Sequence, residues 1–216
     1  MKILIATGNA GKVKEFRQML GSDQFTWTDL SAYPATPAIE ETGHTFRANA
    51  CLKAAGYARQ FRTFALADDS GLEVDALDKK PGVHSARWSE IHNAGKGDPD
   101  NNRLLLKQLA STPDERRSAR FVCVLALSDP DGRIWVTAQD SVEGTILREP
   151  RGTNGFGYDP IFLVNELGRT AAELSPDEKH RVSHRGKALR KLRQLMDQTG
   201  ITIQKGIDGQ ARLASN

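Results

Sequence analysis

An apolar run, Lys2-Ile3-Leu4-Ile5-Ala6, opens the chain and leads directly into Thr7-Gly8-Asn9-Ala10-Gly11-Lys12 and then a stretch of helical period. Strand, glycine turn and helix in that order begin an α/β chain and make a place for an anion. The first backbone N–H groups of a helix have no internal partner, and the aligned peptide dipoles put partial positive charge there. Gly8 and Gly11 let the backbone approach a phosphate closely, and Lys12 adds a full charge. The segment is not a Walker A loop: Gly8 to Lys12 is too short, and Val13 stands where a metal-binding hydroxyl belongs. Any metal must therefore be held elsewhere. Taken alone, the segment also reads as a tight strand-to-helix turn with a solvated lysine.

At 216 residues the chain suits one domain or two closely joined lobes. A hydrophobic content of 38% and a charged content of 26% are those of a soluble globular enzyme. No apolar run approaches the roughly 20 residues that span a bilayer, and Met1-Lys2 runs into the glycine loop without a cleavage site, so a cytoplasmic location is expected. Cys51 and Cys123 sit in apolar stretches and read as small buried thiols, not as a disulfide or a metal pair. The net charge of +3 is interspersed, without the basic stripe and interleaved aromatics that a nucleic-acid polymer requires. A small anionic ligand remains compatible.

Strand-like runs fall at Lys2 to Ala6, Thr63 to Ala67, Phe121 to Ser128, Ile134 to Ala138 and Ser141 to Ile146. Val13, Phe16 and Leu20 give the first helix its inner face, with Gly21 as its stop. Thr45 caps a second helix whose Phe46, Ala50, Ala54, Tyr57, Ala58 and Phe61 face inward and which carries Lys53 near its middle. Asp98 reads as the cap of a third, with Pro99 at its first position and Leu104, Leu105 and Leu109 buried. Asp129-Pro130-Asp131-Gly132 turns a central hairpin. Ser175-Pro176-Asp177-Glu178 is a capping box, and a last helix carries Leu189, Leu192, Leu195 and Met196 before Gly200.

Asp68-Asp69-Ser70-Gly71 follows the short strand at Thr63 to Ala67, which places two carboxylates at a strand end, where α/β proteins put their sites. Adjacent carboxylates repel unless a cation lies near, and Mg²⁺ shared with substrate phosphates answers that need; the segment also reads as an Asp-rich turn with a helix cap or Asx hydrogen bonds. Glu40-Glu41-Thr42-Gly43 is a second acidic pair, equally readable as a solvated loop. Arg151 to Pro160 holds Phe156, Gly157, Tyr158 and Asp159 among its three glycines, a slot for a planar base or a turn whose aromatics pack inward. Ser183-His184-Arg185-Gly186, just before the last helix, and Lys179 upstream suit a phosphate or a purine carbonyl, and read equally as a surface helix start.

A phosphate loop, acids for a cation, basic side chains and a planar slot together describe a nucleoside triphosphate site. The sequence at this point resembles the Ham1-like inosine triphosphate pyrophosphatase family. The resemblance rests on Thr7 to Lys12, Glu40 to Gly43, Ala67 to Leu72, Pro81 to Trp88, Ala119 to Phe121, Gly155 to Pro160 and Ser183 to Gly186, in family order from residue 2 to about 196. One departure stands out: Thr45-Phe46-Arg47-Ala48-Asn49-Ala50 has Ala48 where the closest members carry glutamate, which removes the reciprocal half of a capping box.

The resemblance implies an elongated α/β fold, a mixed sheet with flanking helices in two lobes around a central active-site cleft. It would occupy residues 1–200, with 201–216 as a tail of unassigned role. It implies a homodimer that hydrolyses ITP, dITP and XTP to the monophosphate and pyrophosphate. Asp69 is then the general base and, with Asp68 and Glu40 or Glu41, positions Mg²⁺. Thr7, Gly8, Asn9, Ala10, Gly11 and Lys12 receive the phosphates together with Lys53, and Ser70 bonds a phosphate or braces its loop. Phe156, Gly157, Tyr158, Asp159, Lys179, His184 and Arg185 form the base pocket. The competing readings are a pyrophosphatase for modified pyrimidine nucleotides and a non-catalytic nucleotide sensor.

Overall fold

The structure is a computed structural model that describes residues 2–20, 25–33 and 36–198, together with the strand backbone of 203–205 and 211–213. Its elements run β1 (Lys2–Ile5), α1 (Ala10–Leu20), β2 (Thr26–Asp29), α2 (Phe46–Phe61), β3 (Phe64–Val74), β4 (Lys80–Pro81), α3 (Trp88–Ile91) and α4 (Asp98–Gln108). There follow β5 (Ser118–Ser128), β6 (Ile134–Ile146), β7 (Phe162–Val164), β8 (Arg169–Thr170), α5 (Pro176–Val182), α6 (His184–Gln198), β9 (Ile203–Lys205) and β10 (Ala211–Leu213). The main sheet is mixed, in the order β2-β1-β3-β5-β6-β7-β8, with β4 paired to β3. β1 lies parallel to β2 and β3, whereas β6, β7 and β8 pair antiparallel. β9 and β10 form a separate antiparallel ladder. Two compact units result: Met1–Asp69, Val124–Gln139 and Ala188–Asn216 make the first, Ser70–Cys123 and Asp140–Lys187 the second.

In the first unit the parallel strands bury Ile3, Leu4, Ile5, Phe64 and Leu66, and α1 covers them with Phe16 and Leu20. Thr45 caps α2 as expected: its hydroxyl oxygen accepts from the Ala48 N–H at 3.1 Å. Ala48 has no carboxylate to bond back to the Thr45 N–H. The inward face of α2 is Phe46, Ala50, Ala54, Tyr57 and Ala58, while Phe61 is half-buried and stacks with Tyr57 and Tyr33.

The second unit is centred on Leu72, Val74, Leu105, Leu109, Phe121, Ile146, Ile161 and Phe162. Arg117 is only 2% exposed, and among the described residues no carboxylate bonds its guanidinium. It donates instead to the carbonyls of Ile146 (2.7 Å), Leu109 (2.6 Å) and Leu147 (2.8 Å), tying the end of β6 to the end of α4. Burial draws the Arg117 pKa down from its ordinary value.

Several boundaries differ from expectation. The strand foreseen at Thr63 to Ala67 continues through Asp68-Asp69-Ser70-Gly71 to Val74, because β1, β4 and β5 pair along it. The carboxylates thus sit inside a strand, not at its end. Ile134 to Ala138 and Ser141 to Ile146 are one strand. The short β2, Thr26-Trp27-Thr28-Asp29, is not among the expected strands: with Trp27 as its one apolar residue it is recruited by pairing with β1. Gly97, not Asp98, caps α4, since the Asp98 carboxylate accepts the Gly157 N–H at 2.7 Å; Leu104 is only half-buried. His184, Arg185 and Gly186 form the first turn of α6 and do not precede it, because Ser183 ends α5. The foreseen stops Gly21 and Gly200, and the tail from residue 201 apart from β9 and β10, lie outside the described residues.

Replacing Arg117 by Met removes three buried hydrogen bonds to carbonyl oxygens and is expected to cost about 3 kcal/mol, against about 1 kcal/mol for Thr45→Ala; urea midpoints measure both. A pH effect accompanies Asp75, whose carboxyl is held at about 2 by hydrogen bonds from Lys79 and Ser118 and by the charge of Arg120. A depressed carboxyl pKa stabilises fully above the ordinary value of 3.8 and less as pH falls toward about 2. The stability difference between wild type and Asp75→Asn is therefore expected to shrink over that range; solvent screening keeps it to about 1 kcal/mol or less.

Candidate active site

The glycine loop between β1 and α1 organises its own donors. Asn9 caps α1, its side-chain oxygen accepting the Lys12 N–H at 3.0 Å, and the Asn9 N–H donates to the Thr7 hydroxyl at 3.3 Å. Among the described residues the N–H groups of Gly8, Ala10 and Gly11 have no such partner. Gly8, Asn9 and Ala10 are exposed, and a Cβ on Gly8 would meet nothing within 4 Å. The anion-facing donors are thus fewer than the whole segment 8–12.

Asp68 and Asp69 are both buried, at 0% and 5% exposure, and as neighbours on a strand they take different partners. Asp68 pairs with Lys12, delivered by the first turns of α1. Lys53 of α2 reaches Asp69 Oδ1 at 3.0 Å and Glu41 Oε1 at 3.1 Å. Burial pulls the Lys53 ammonium pKa down, but Asp69, Glu41 and Asp68 outweigh it and the net shift is upward. Asp69 is raised as well, by burial first, although Lys53 and Lys12 oppose the rise. Its other oxygen, Oδ2, is buried without a hydrogen-bond partner. Glu40 is exposed and outside this group. Among the described residues no three acidic, histidine or cysteine side chains converge as a ready cation cage. Of the carboxylates expected near a cation, Asp69 and Glu41 share Lys53, while Asp68 pairs with Lys12.

In the second unit, Arg185 at the start of α6 donates to the Ser70 hydroxyl at 2.8 Å. Asp159 accepts from Lys179 Nζ at 2.5 Å and from the Phe156 N–H at 2.8 Å. A Cβ on Gly155, whose φ is +79°, would meet Asp159 Oδ2 at 2.0 Å, so this glycine is required for the close approach. Lys179 Nζ lies 4.9 Å from the Phe156 ring centre and the Arg185 guanidinium carbon 5.8 Å, while the buried His184 stacks on Phe121. Tyr158 points elsewhere: its hydroxyl donates to the Ser85 carbonyl at 2.9 Å, and burial, aided by the Asp98 charge, raises its pKa. The interior space bounded by Asp159, Lys179, His184 and Phe121 is about 10 Å³, too small for a base. Asp98 and Asn102 also touch this loop, and only a helix-cap signal had marked Asp98. Lys179→Met, which removes the cation from a carboxylate only 3% exposed, is expected to cost about 3–5 kcal/mol. Adding Asp159→Asn recovers part of that loss in a double-mutant denaturation cycle.

The chain matches the model of the Ham1 family over residues 3–195. It is 53% identical over 192 residues to a protein of Exiguobacterium sibiricum named dITP/XTP pyrophosphatase, covering 89% of this chain and 95% of that one. A Bacillus licheniformis protein of the same name is 49% identical, covering 91% and 98%. The solved structure of a HAM1 protein from Coxiella burnetii superposes with a TM-score of 0.80 at 42% identity, covering 92% of this chain and 99% of that chain. With these matches spanning both units and every site segment described above, the chain belongs to the Ham1 family.

Proposed function

We propose that the protein hydrolyses non-canonical purine nucleoside triphosphates, ITP, dITP and XTP, to the monophosphate and pyrophosphate. The observation that carries this reading is Asp69: a buried carboxylate with one oxygen on Lys53, the other without a partner, and a pKa raised by burial. Such a group accepts a proton readily. Asp69 takes the proton of a water whose oxygen attacks the α-phosphorus; the bond to the bridging oxygen breaks and pyrophosphate leaves with its electron pair. Lys12, Lys53 and the Gly8, Ala10 and Gly11 N–H groups neutralise and orient the phosphates, so positioned charge lowers the barrier. Glu41, which shares Lys53 with Asp69, would hold Mg²⁺, which takes one or two carboxylates alongside substrate phosphates, and so leaves the partnerless Asp69 oxygen for the proton. When bound, the ion supplies charge neutralisation and Lewis acidity at phosphate oxygens.

The half-buried Phe156 ring offers the base an aromatic surface, with Lys179 and Arg185 over the ring as donors. Hypoxanthine and xanthine present an acceptor at position 6, whereas adenine presents an amino group that would face these donors. A site built on such bonds discriminates by ~10⁴ or more. The interior space behind Asp159 is too small for the base, so recognition takes place along the ring.

The decisive measurement is pyrophosphate against orthophosphate released from ITP, XTP, GTP, ATP and dTTP, with Mg²⁺ or with chelator. Pyrophosphate from ITP and XTP is expected, abolished by chelator and lowered about 100-fold or more in kcat by Asp69→Asn. Release mainly from pyrimidine nucleotides, or tight binding without product, would overturn the reading.

A further inference from the structure

Gly157 follows the proposed base platform Phe156 and has no side chain through which to be held, yet both of its backbone polar groups are occupied by one helix. Its N–H donates to Asp98 Oδ2 at 2.7 Å, and its carbonyl accepts from Asn102 Nδ2 at 3.0 Å. Asp98 and Asn102 are four residues apart on α4 and therefore share a face. The Phe156 N–H is meanwhile taken by Asp159. A cavity of about 500 Å³ borders this stretch, lined among others by Phe156, Gly157, Pro160 and Leu106. Asn102 Oδ1 is buried there without a partner, so the residue's placement is accounted for by the bond it donates, not by full satisfaction of its amide.

We infer that α4, through Asp98 and Asn102, clamps Gly157 and so fixes the plane and position of the Phe156 ring, making these two residues positioning residues for base selection. The inference rests on the proposed function. Without the clamp the ring swings toward the cavity and a bound base loses its register with Lys179 and Arg185, so the preference for 6-oxo purines falls while phosphate chemistry continues.

The test combines amide hydrogen exchange of the 151–160 segment with kcat and KM for ITP and ATP. In Asp98→Ala and Asn102→Ala the segment exchanges faster, KM for ITP rises, and the ITP-to-ATP ratio of kcat/KM falls about tenfold or more, with kcat for ITP little changed. Asp98→Asn restores both readouts, because an amide oxygen accepts the same bond; Asn102→Asp does not, because a carboxylate cannot donate. Asp98→Asn and Asn102→Asp also decide the matter if an alanine variant fails to fold. Unchanged exchange, or a parallel fall for every nucleotide, overturns the inference. A wild type that releases no pyrophosphate from any nucleotide refutes the proposed function and the base-selection role with it, and exchange then decides whether the clamp orders the loop.

Discussion

Asp68 and Asp69 place two carboxylates side by side within the middle of a buried strand, and each is costly there unless a cation meets it. Much of the first unit follows from that demand. The glycine loop and the Asn9 cap set where α1 begins, and with it where Lys12 stands to pair with Asp68. The Thr45 cap does the same for α2 and Lys53, which pairs with Asp69. Two lysines for three carboxylates leave the group acidic. That is why one Asp69 oxygen remains without a partner and why burial keeps its pKa high. The features that make Asp69 expensive to fold are those that suit it to take a proton or hold a cation.

The second unit meets the same electrostatic problem with different partners. Asp159 is matched by Lys179 and by the backbone of its own loop, and Gly155 permits the approach. Arg117 is matched by carbonyls, which spread partial negative charge around the guanidinium. The loop that presents Phe156 is fixed from within by Asp159 and from outside by α4. An aromatic ring held on a glycine-rich segment thereby becomes a rigid surface.

The sequence made the caps, the glycine loop and the acidic and basic motifs legible because these signals are local. The Thr45 cap, the turn from Asp129 to Gly132 and the Ser175 capping box all act within a few residues. It misplaced features that depend on distant partners. Ser70-Gly71 looks like a turn until neighbouring strands pair along it, and Asp98 looks like a cap until Gly157, 59 residues away, claims its carboxylate. The four-residue β2 is too short to stand out by itself, and Tyr158 read as a pocket residue until its hydroxyl met Ser85.

By itself the sequence determined the mixed α/β class, the family and the chemical kinds of group available, since strand and helix periodicity, capping and motif order are written in neighbouring residues. Only the tertiary structure decided which lysine meets which aspartate, that Glu41 and not Glu40 joins Asp69, and that α4 holds the Phe156 loop. Charge pairing and burial are properties of positions brought together from far along the chain, and no local pattern encodes them.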